Sequence, residues 1–319
     1  MMHRTGFALL LSCASPALAQ DFKLHLPIDC DLNSEQCYIQ QYVDTDPGPG
    51  VSDFMCAGLS YDGHRGTDFA LPTYADIASN VPVIASAPGR VVGLRDGMPD
   101  IGQAAGVEGR ECGNGVVLEH PNGWQTQYCH LKEGSVTVSR GQTVALGEVL
   151  GYVGQSGKAD FPHVHLSVRK DGTPVDPFDP DGTVTCASPG DSTLWVETPT
   201  YQPGGLLDAG FTDKIPDYGD VKAGTADAIP LEPTSPAFVL FGLVFGPQDG
   251  DILRMRIEGP NGFALENDQT FDRNQAQAFR AIGQRRRSAP WASGTYVGTL
   301  DMIRDDTVIS SMTREITLP

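Results

Sequence analysis

The sequence predicts an all-β, antiparallel protein, on three observations. Its 319 residues include 37 glycines and 24 prolines, which punctuate the chain with turn signals at short intervals. Between them lie short apolar runs that alternate or are rich in β-branched residues, such as "PVIASAPGRVVGL" and "TVALGEVLGYVG", as strands require. No long segment repeats apolar residues at helical spacing. A chain of this length can bury a substantial core and is expected to form two domains.

The N-terminus reads Met-Met-His-Arg, then an apolar run from Gly6 to Ser12, then Ala17-Leu18-Ala19 as a small-x-small cleavage site. Residues 1–19 are therefore expected to be a secretory signal. Leu10-Leu11-Ser12 before Cys13 offers a lipoprotein alternative, which ranks second because its apolar stretch is very short. No later segment approaches the ~18 apolar residues of a membrane span, so a soluble periplasmic or extracellular protein is expected, and a monomer. Residues 20–57 carry three cysteines and the turn-rich "DTDPGPGVSD", a disulfide-tied lead-in. A first β domain follows over 58–186, and Pro121-Asn122-Gly123-Trp124 inside it is a strong hairpin corner. Residues 94–111 lack periodicity and read as a solvated loop. Residues 187–235, rich in proline, glycine and aspartate, read as an irregular linker. Residues 236–319 repeat the strand and turn pattern of a small β-sandwich-like accessory domain. Its Arg285-Arg286-Arg287 run reads as a solvated loop.

The formal charge is −18, and losing the signal would remove one base, Arg4, and no acid. Such a surface repels nucleic acid and anionic lipid, so neither is an expected partner. Without Cys13, six cysteines remain: Cys30, Cys37, Cys56, Cys112, Cys129 and Cys186. An even number in an exported chain favours disulfides over metal thiolates. The expected pairs are Cys30 with Cys37, Cys112 with Cys129, and Cys56 with Cys186.

Chemistry concentrates in three histidine motifs. In "DFPHVHLSV", strand alternation puts Phe161, His163, His165 and Ser167 on one face and Val164, Leu166 and Val168 on the other. The apolar row can pack inward while the histidine row lines a groove. Upstream, "GHRGTD" supplies His64 and Asp68, with Gly66 arguing against a helix, and "QYCHL" supplies His130. Each motif alone is explained by a turn or a satisfied polar residue. Together they offer four histidines and an aspartate, whereas a catalytic zinc needs about three such ligands and an open position. The spare imidazoles would be natural acids and bases. His120, at a turn, reads as a satisfied histidine.

These residues carry a resemblance. "GHRGTDFALP", "PVIASAPGRVV", "GNGVVLEHPNGWQTQYCHL", "VSRGQTVALGEVLGYVGQSG" and "FPHVHLSVRKDGTPVDP" follow in order the pattern of the lysostaphin-type (LytM-like) zinc endopeptidases, over roughly residues 58–180. The resemblance implies one zinc per chain held by His64, Asp68 and His165. It implies that His163 and His130 assist the reaction without binding the metal, and that the substrate is a peptidoglycan peptide. The cysteines, the 94–111 loop and the C-terminal module depart from the pattern.

Other readings fare worse. "GQSGK" at 154–158 fails the G-x-S-x-G pattern of a serine hydrolase. Cys129 beside His130 could suggest a cysteine protease, but strand neighbours point to opposite faces and a disulfide explains the cysteine better. The serious alternative is a secreted wall-binding or regulatory protein that keeps the fold without turnover, against which the complete histidine set argues.

Overall fold

The computed structural model describes residues 21–32, 34–102, 106–183 and 192–319. The expected signal with Cys13, and Cys186, lie outside the described residues. The protein is almost entirely antiparallel β, as the sequence predicts. Its main sheet is built from β1 (Tyr38–Gln41), β2 (Thr67–Ala70), β4 (Gly89–Arg95), β5 (Asn114–Glu119), β6 (Trp124–Leu131), β7 (Thr143–Val144), β9 (His163–Lys170) and β10 (Thr173–Val175). The order is β1-β2-β9-β6-β5-β4-β7, with β10 beside β9. Between them, β3 (Pro82–Ile84) pairs with β8 (Val149–Tyr152) in a small second sheet.

The C-terminal half holds two further sheets. One has the order β11-β12-β15, from β11 (Gly205–Thr212), β12 (Ala237–Phe245) and β15 (Gln277–Arg285). The other has the order β14-β13-β16-β17, from β13 (Ile252–Gly259), β14 (Phe263–Thr270), β16 (Gly294–Arg304) and β17 (Thr307–Leu318). Among the described residues the one α-helix, α1 (Tyr218–Ala223), is six residues long. Both β11 and α1 fall inside the span read as an irregular linker. The alternation Leu207, Ala209, Phe211, all buried, is masked there by the surrounding proline, glycine and aspartate. Likewise β1 comes from the disulfide-tied lead-in yet extends the main sheet through its pairing with β2.

In β9, Val164, Leu166 and Val168 are buried in the core, each contributing roughly 1.5–3 kcal/mol of hydrophobic stabilisation. This leaves the histidine row on the opposite face. The run "AFVLFGLVF" of β12 is apolar on both faces, as a doubly covered strand must be. Phe241, Leu243 and Phe245 join the core of the main sheet, while Phe238, Leu240 and Val244 join that of the C-terminal sandwich. The two halves therefore share a wall.

Disulfides Cys30–Cys37 and Cys112–Cys129 form as expected, and Cys56 is disulfide-bonded too. The 94–111 loop is less solvated than its composition suggests. Asp96 accepts from the Gly134 and Val136 amides and Asp100 from the Glu133 and Gln155 amides, so two carboxylates pin its described part to the fold.

Candidate metal centre

Antiparallel pairing sets Asp68 of β2 directly opposite His165 of β9, and Ala70 opposite His163. Directly opposed residues share a face, so the register alone brings the carboxylate to the histidine row. Asp68 Oδ1 stands 2.8 Å from His165 Nδ1 and 3.3 Å from His64 Nε2, and the two ring nitrogens are 3.2 Å apart. His64 comes from the turn before β2. Its Nδ1–H donates to the Tyr42 carbonyl at 2.6 Å, which turns Nε2 toward Asp68. The other nitrogen of His165, Nε2, meets the Ser167 hydroxyl at 2.9 Å. Outer partners of this kind fix ring orientation at metal centres. Gly66 is required for the approach, because a Cβ there would stand 2.4 Å from His165 Nε2. The three ligand-capable atoms lie within 4.8 Å of one another, the grouping of that kind found among the described residues.

His163 and His130 stand beside this group. His163 Nε2 is 3.5 Å from Asp68 Oδ1, and its Nδ1–H donates to the Phe161 carbonyl at 2.8 Å. His130 Nδ1–H donates to the Ser156 carbonyl at 2.8 Å, and its ring centroid is 4.6 Å from that of His163. Strand alternation would send His130 away from the groove, because its neighbour Cys129 faces His165 across the β6–β9 pairing. The register of β5 against β6 slips between Asn114 and Val116, however, and His130 has φ 64°. An extra residue in one strand is a β-bulge, which re-aims side chains. Both Cys129 and His130 consequently line the groove. The parity argument against a Cys129–His130 pair therefore fails, but the cysteine is held in the Cys112–Cys129 disulfide, which removes the thiol nucleophile. His120 is elsewhere and satisfied, bonded to the Pro88 carbonyl and the Thr126 hydroxyl.

Electrostatics separate the rings. Burial would raise the Asp68 pKa, but the adjacent His64 and His163 and the hydrogen bonds from His165 and His64 outweigh it and hold the carboxyl well below its usual range. Burial also works against a charge on His64, yet Asp68 beside it prevails and raises its pKa. Burial dominates at His163 and lowers its pKa. At His130 burial, reinforced by His163 and His165, lowers it well below the ordinary value. Two rings are thus kept neutral next to an anionic group.

The groove has a volume of about 880 Å³. Its floor is the polar face of β9 and β6, including Gln127, His163, His165, Ser167 and Arg169. Sequence reasoning missed most of its walls. The lead-in supplies Gln41, and the C-terminal half supplies Tyr218, Lys222 and residues 275–277. Partly buried hydrogen bonds lock that second wall to β1: Gln40 Nε2 donates to the Ala276 carbonyl at 3.0 Å, and Gln277 Nε2 to Tyr38 Oη at 2.9 Å. No local motif signals these contributions, and the bonds that join the two walls link residues 236 and 239 positions apart. The nearest available signal was the apolar density of β12.

Residues 62–177 match the family Peptidase family M23, so the chain carries a domain of that family. Over 112 residues it is 34% identical to the "Peptidoglycan DD-endopeptidase ShyA" of Vibrio cholerae, covering 35% of this chain and 21% of that protein. Over 114 residues it is 36% identical to the "DD-carboxypeptidase/endopeptidase Mpg" of Neisseria meningitidis, covering 36% of this chain and 22% of that one. The chain thus spans about a fifth of the length of these curated relatives. The solved catalytic domain of the prophage-encoded M23 protein EnpA from Enterococcus faecalis is 23% identical, with a TM-score of 0.33, covering 50% of this chain and 96% of that one.

Proposed function

We propose that the Peptidase family M23 domain of this chain is a zinc metalloendopeptidase that hydrolyses peptide cross-links of peptidoglycan in an exported protein. The observation that carries this reading is the convergence of His64 Nε2, Asp68 Oδ1 and His165 Nδ1. Tetrahedral ligands about 2.0–2.1 Å from a zinc ion lie about 3.3 Å from one another. The separations of 2.8, 3.2 and 3.3 Å suit such an ion, and two imidazoles with a carboxylate are the donor set of a catalytic site. These three residues would hold one zinc per chain. Bound there, zinc supplies Lewis acidity, which polarises a scissile carbonyl and eases deprotonation of water near neutral pH.

The remaining work falls to side chains of the groove. His130 and His163 each donate Nδ1–H to a carbonyl, so in the neutral ring Nε2 is left with its lone pair. One of them takes the proton of the attacking water. Once protonated, a ring becomes a donor that can stabilise the developing oxyanion or pass the proton to the leaving amine. The burial of both rings excludes bulk water from that transfer. Disulfides support the exported setting, and the names of the relatives support peptidoglycan as substrate. The same reading takes the chain as a monomer cleaved after Ala19, with 58–186 as the catalytic domain and 236–319 as its accessory.

Metal analysis of the purified protein, followed by release of new amino groups from purified peptidoglycan, tests the reading. About one zinc per chain and steady release are expected; a folded, zinc-loaded protein releasing none would favour a wall-binding role instead. His165→Ala is expected to lose the metal, whereas His163→Ala keeps it and loses roughly 10²–10⁴-fold in turnover. Equal loss of zinc from both variants would sink the division of roles. Mass spectrometry of digested muropeptides then identifies the bond cut.

A further inference from the structure

We propose that Arg169 binds a free carboxylate of the peptide substrate, at a subsite four residues along β9 from His165. The inference rests on the endopeptidase reading for what enters the groove, but its own evidence is separate. Arg169 continues the row His163, His165, Ser167 on the polar face of β9 and lines the same cavity. It is half-buried, and burial disfavours its charge. Among the described residues no carboxylate lies within 4.0 Å of it. Four arginines of the C-terminal half, Arg254, Arg256, Arg304 and Arg314, each pair with an aspartate or glutamate. In a chain with a formal charge of −18, acids are abundant, so a groove-lining guanidinium without one is notable. A partly desolvated cation without a counter-charge is costly to hold, and a ligand that brings the counter-charge recovers that cost.

The guanidinium is also preset. Its Nη2 donates to Gln127 Oε1 at 2.6 Å, and Gln127 Nε2 in turn donates to Cys112 Sγ at 3.2 Å. The Cys112–Cys129 disulfide is thereby linked, through one amide, to the orientation of the arginine. Gln127 occupies one edge of a planar group that has five donors, leaving others for the two oxygens of a carboxylate, which the guanidinium fork matches. Along a strand, four residues span about 13 Å. An extended peptide with its cut bond at the metal centre would therefore present a carboxylate to Arg169 about four residues from that bond. Glu111 and Asp160 line the same cavity and disfavour an anion that lacks a cationic partner; of the cavity's cations, Lys158, Lys222 and Arg169, the arginine offers the planar fork that matches a carboxylate.

The test is equilibrium binding of a defined cross-linked stem-peptide dimer to the full chain, read by calorimetry. His163→Ala is present in every arm so that the peptide is not consumed. Three forms of the peptide are compared: free carboxylates, C-terminal amide and side-chain amide. Hydrogen bonds to a charged partner are worth about 1.5–3 kcal/mol, so one amidated form is expected to bind roughly 10–100-fold more weakly, and which form does so identifies the source of the carboxylate. In Arg169→Gln the free form should bind as weakly as that amide, and amidation should have no further effect. Arg169→Lys, which keeps the charge without the fork, should recover part of the loss. The proposal is overturned if amidation costs as much in Arg169→Gln as with arginine present, if neither amidation nor substitution matters, or if no form binds at millimolar peptide. If Arg169→Gln does not fold, the amide comparison and Arg169→Lys still decide. Discrimination in binding by a chain whose unsubstituted form releases no amino groups would remove the endopeptidase reading and leave this subsite standing.

Discussion

Two hairpins in this molecule turn on the same three residues. Pro121-Asn122-Gly123 joins β5 to β6, and Pro260-Asn261-Gly262 joins β13 to β14. The central asparagine takes nearly the same left-handed conformation in both, φ 60° and ψ 31° against φ 57° and ψ 28°. Beyond the corner they diverge. β13 and β14 pair without a slip from Gly259–Phe263 to Ile252–Thr270. Leu253, Met255 and Ile257 face the core, while Arg254 and Arg256 pair with Asp268 and Glu266 in solvent. In the other hairpin the alternation of β6 holds as far as Tyr128 and then breaks, and the break is where His130 enters the groove. The turn fixes how each hairpin begins; a bulge several residues away decides whether it becomes part of the groove wall.

The largest expected effect comes from removing what the bulge delivers. His130→Ala should retain the metal, because none of the three proposed ligand atoms belongs to it, and should lose roughly 10²–10⁴-fold in turnover. Alanine at Glu266, in the plain hairpin, should cost little stability, because its ion pair with Arg256 is exposed and screened by solvent, and no activity. Paired kinetics and metal analysis on the two variants check the contrast. Full activity in His130→Ala would mean that the bulge only shapes the wall.

This contrast also marks how far the sequence could be read. Period-two alternation in "HVHLSV" correctly separated the histidine row from Val164, Leu166 and Val168, and Gly66 correctly excluded a helix between His64 and Asp68. Those are local properties of the chain. The bulge at His130 is not, since it depends on how β6 registers against β5, and alternation by itself gave the wrong face. The Tyr42 carbonyl that orients His64, and the wall made by residues 275–277, depend on tertiary pairing between distant segments. Strand parity can propose which side chains share a face, but only register says which strands bring them together.

Buried aspartates extend the comparison to the two halves. In the C-terminal half, Asp251 is clamped by Arg304, whose Nε and Nη2 stand 2.9 and 2.6 Å from its two oxygens. In the N-terminal half, Asp176 accepts the Phe178 amide through Oδ1, while its buried Oδ2 has no hydrogen-bond partner among the described residues. Burial, with Asp179 and Asp53 adding repulsion, pushes its pKa up to about 7. The unfolded chain releases this proton near pH 3.8, so between that pH and about 7 the folded state binds more protons than the unfolded one. The stabilisation is fully present below pH 3.8 and is lost as pH rises through about 7, a change on the order of 4 kcal/mol at most. Asp176→Asn keeps an acceptor for the Phe178 amide and does not titrate. Its melting temperature relative to the parent should therefore rise between pH 5 and pH 8, and a constant difference across that range would contradict the assignment.

The smallest effect tests the shared corner itself. A non-glycine residue in the left-handed region is costly unless its side chain is short and polar, as asparagine's is. Asn122→Ala and Asn261→Ala should each cost about 1 kcal/mol, and by the same amount, because the backbone angles agree to within a few degrees. Glycine at either position should be neutral or better in the turn. Denaturant midpoints of the two alanine variants give the comparison. Equal losses would confirm that the turn is an interchangeable part and that the difference between the hairpins lies wholly in the register beyond it. A markedly larger loss at Asn122 would show that the corner and the bulge are strained together. In that case the groove-lining hairpin would be a single unit, from Pro121 to His130, that the plain one merely resembles.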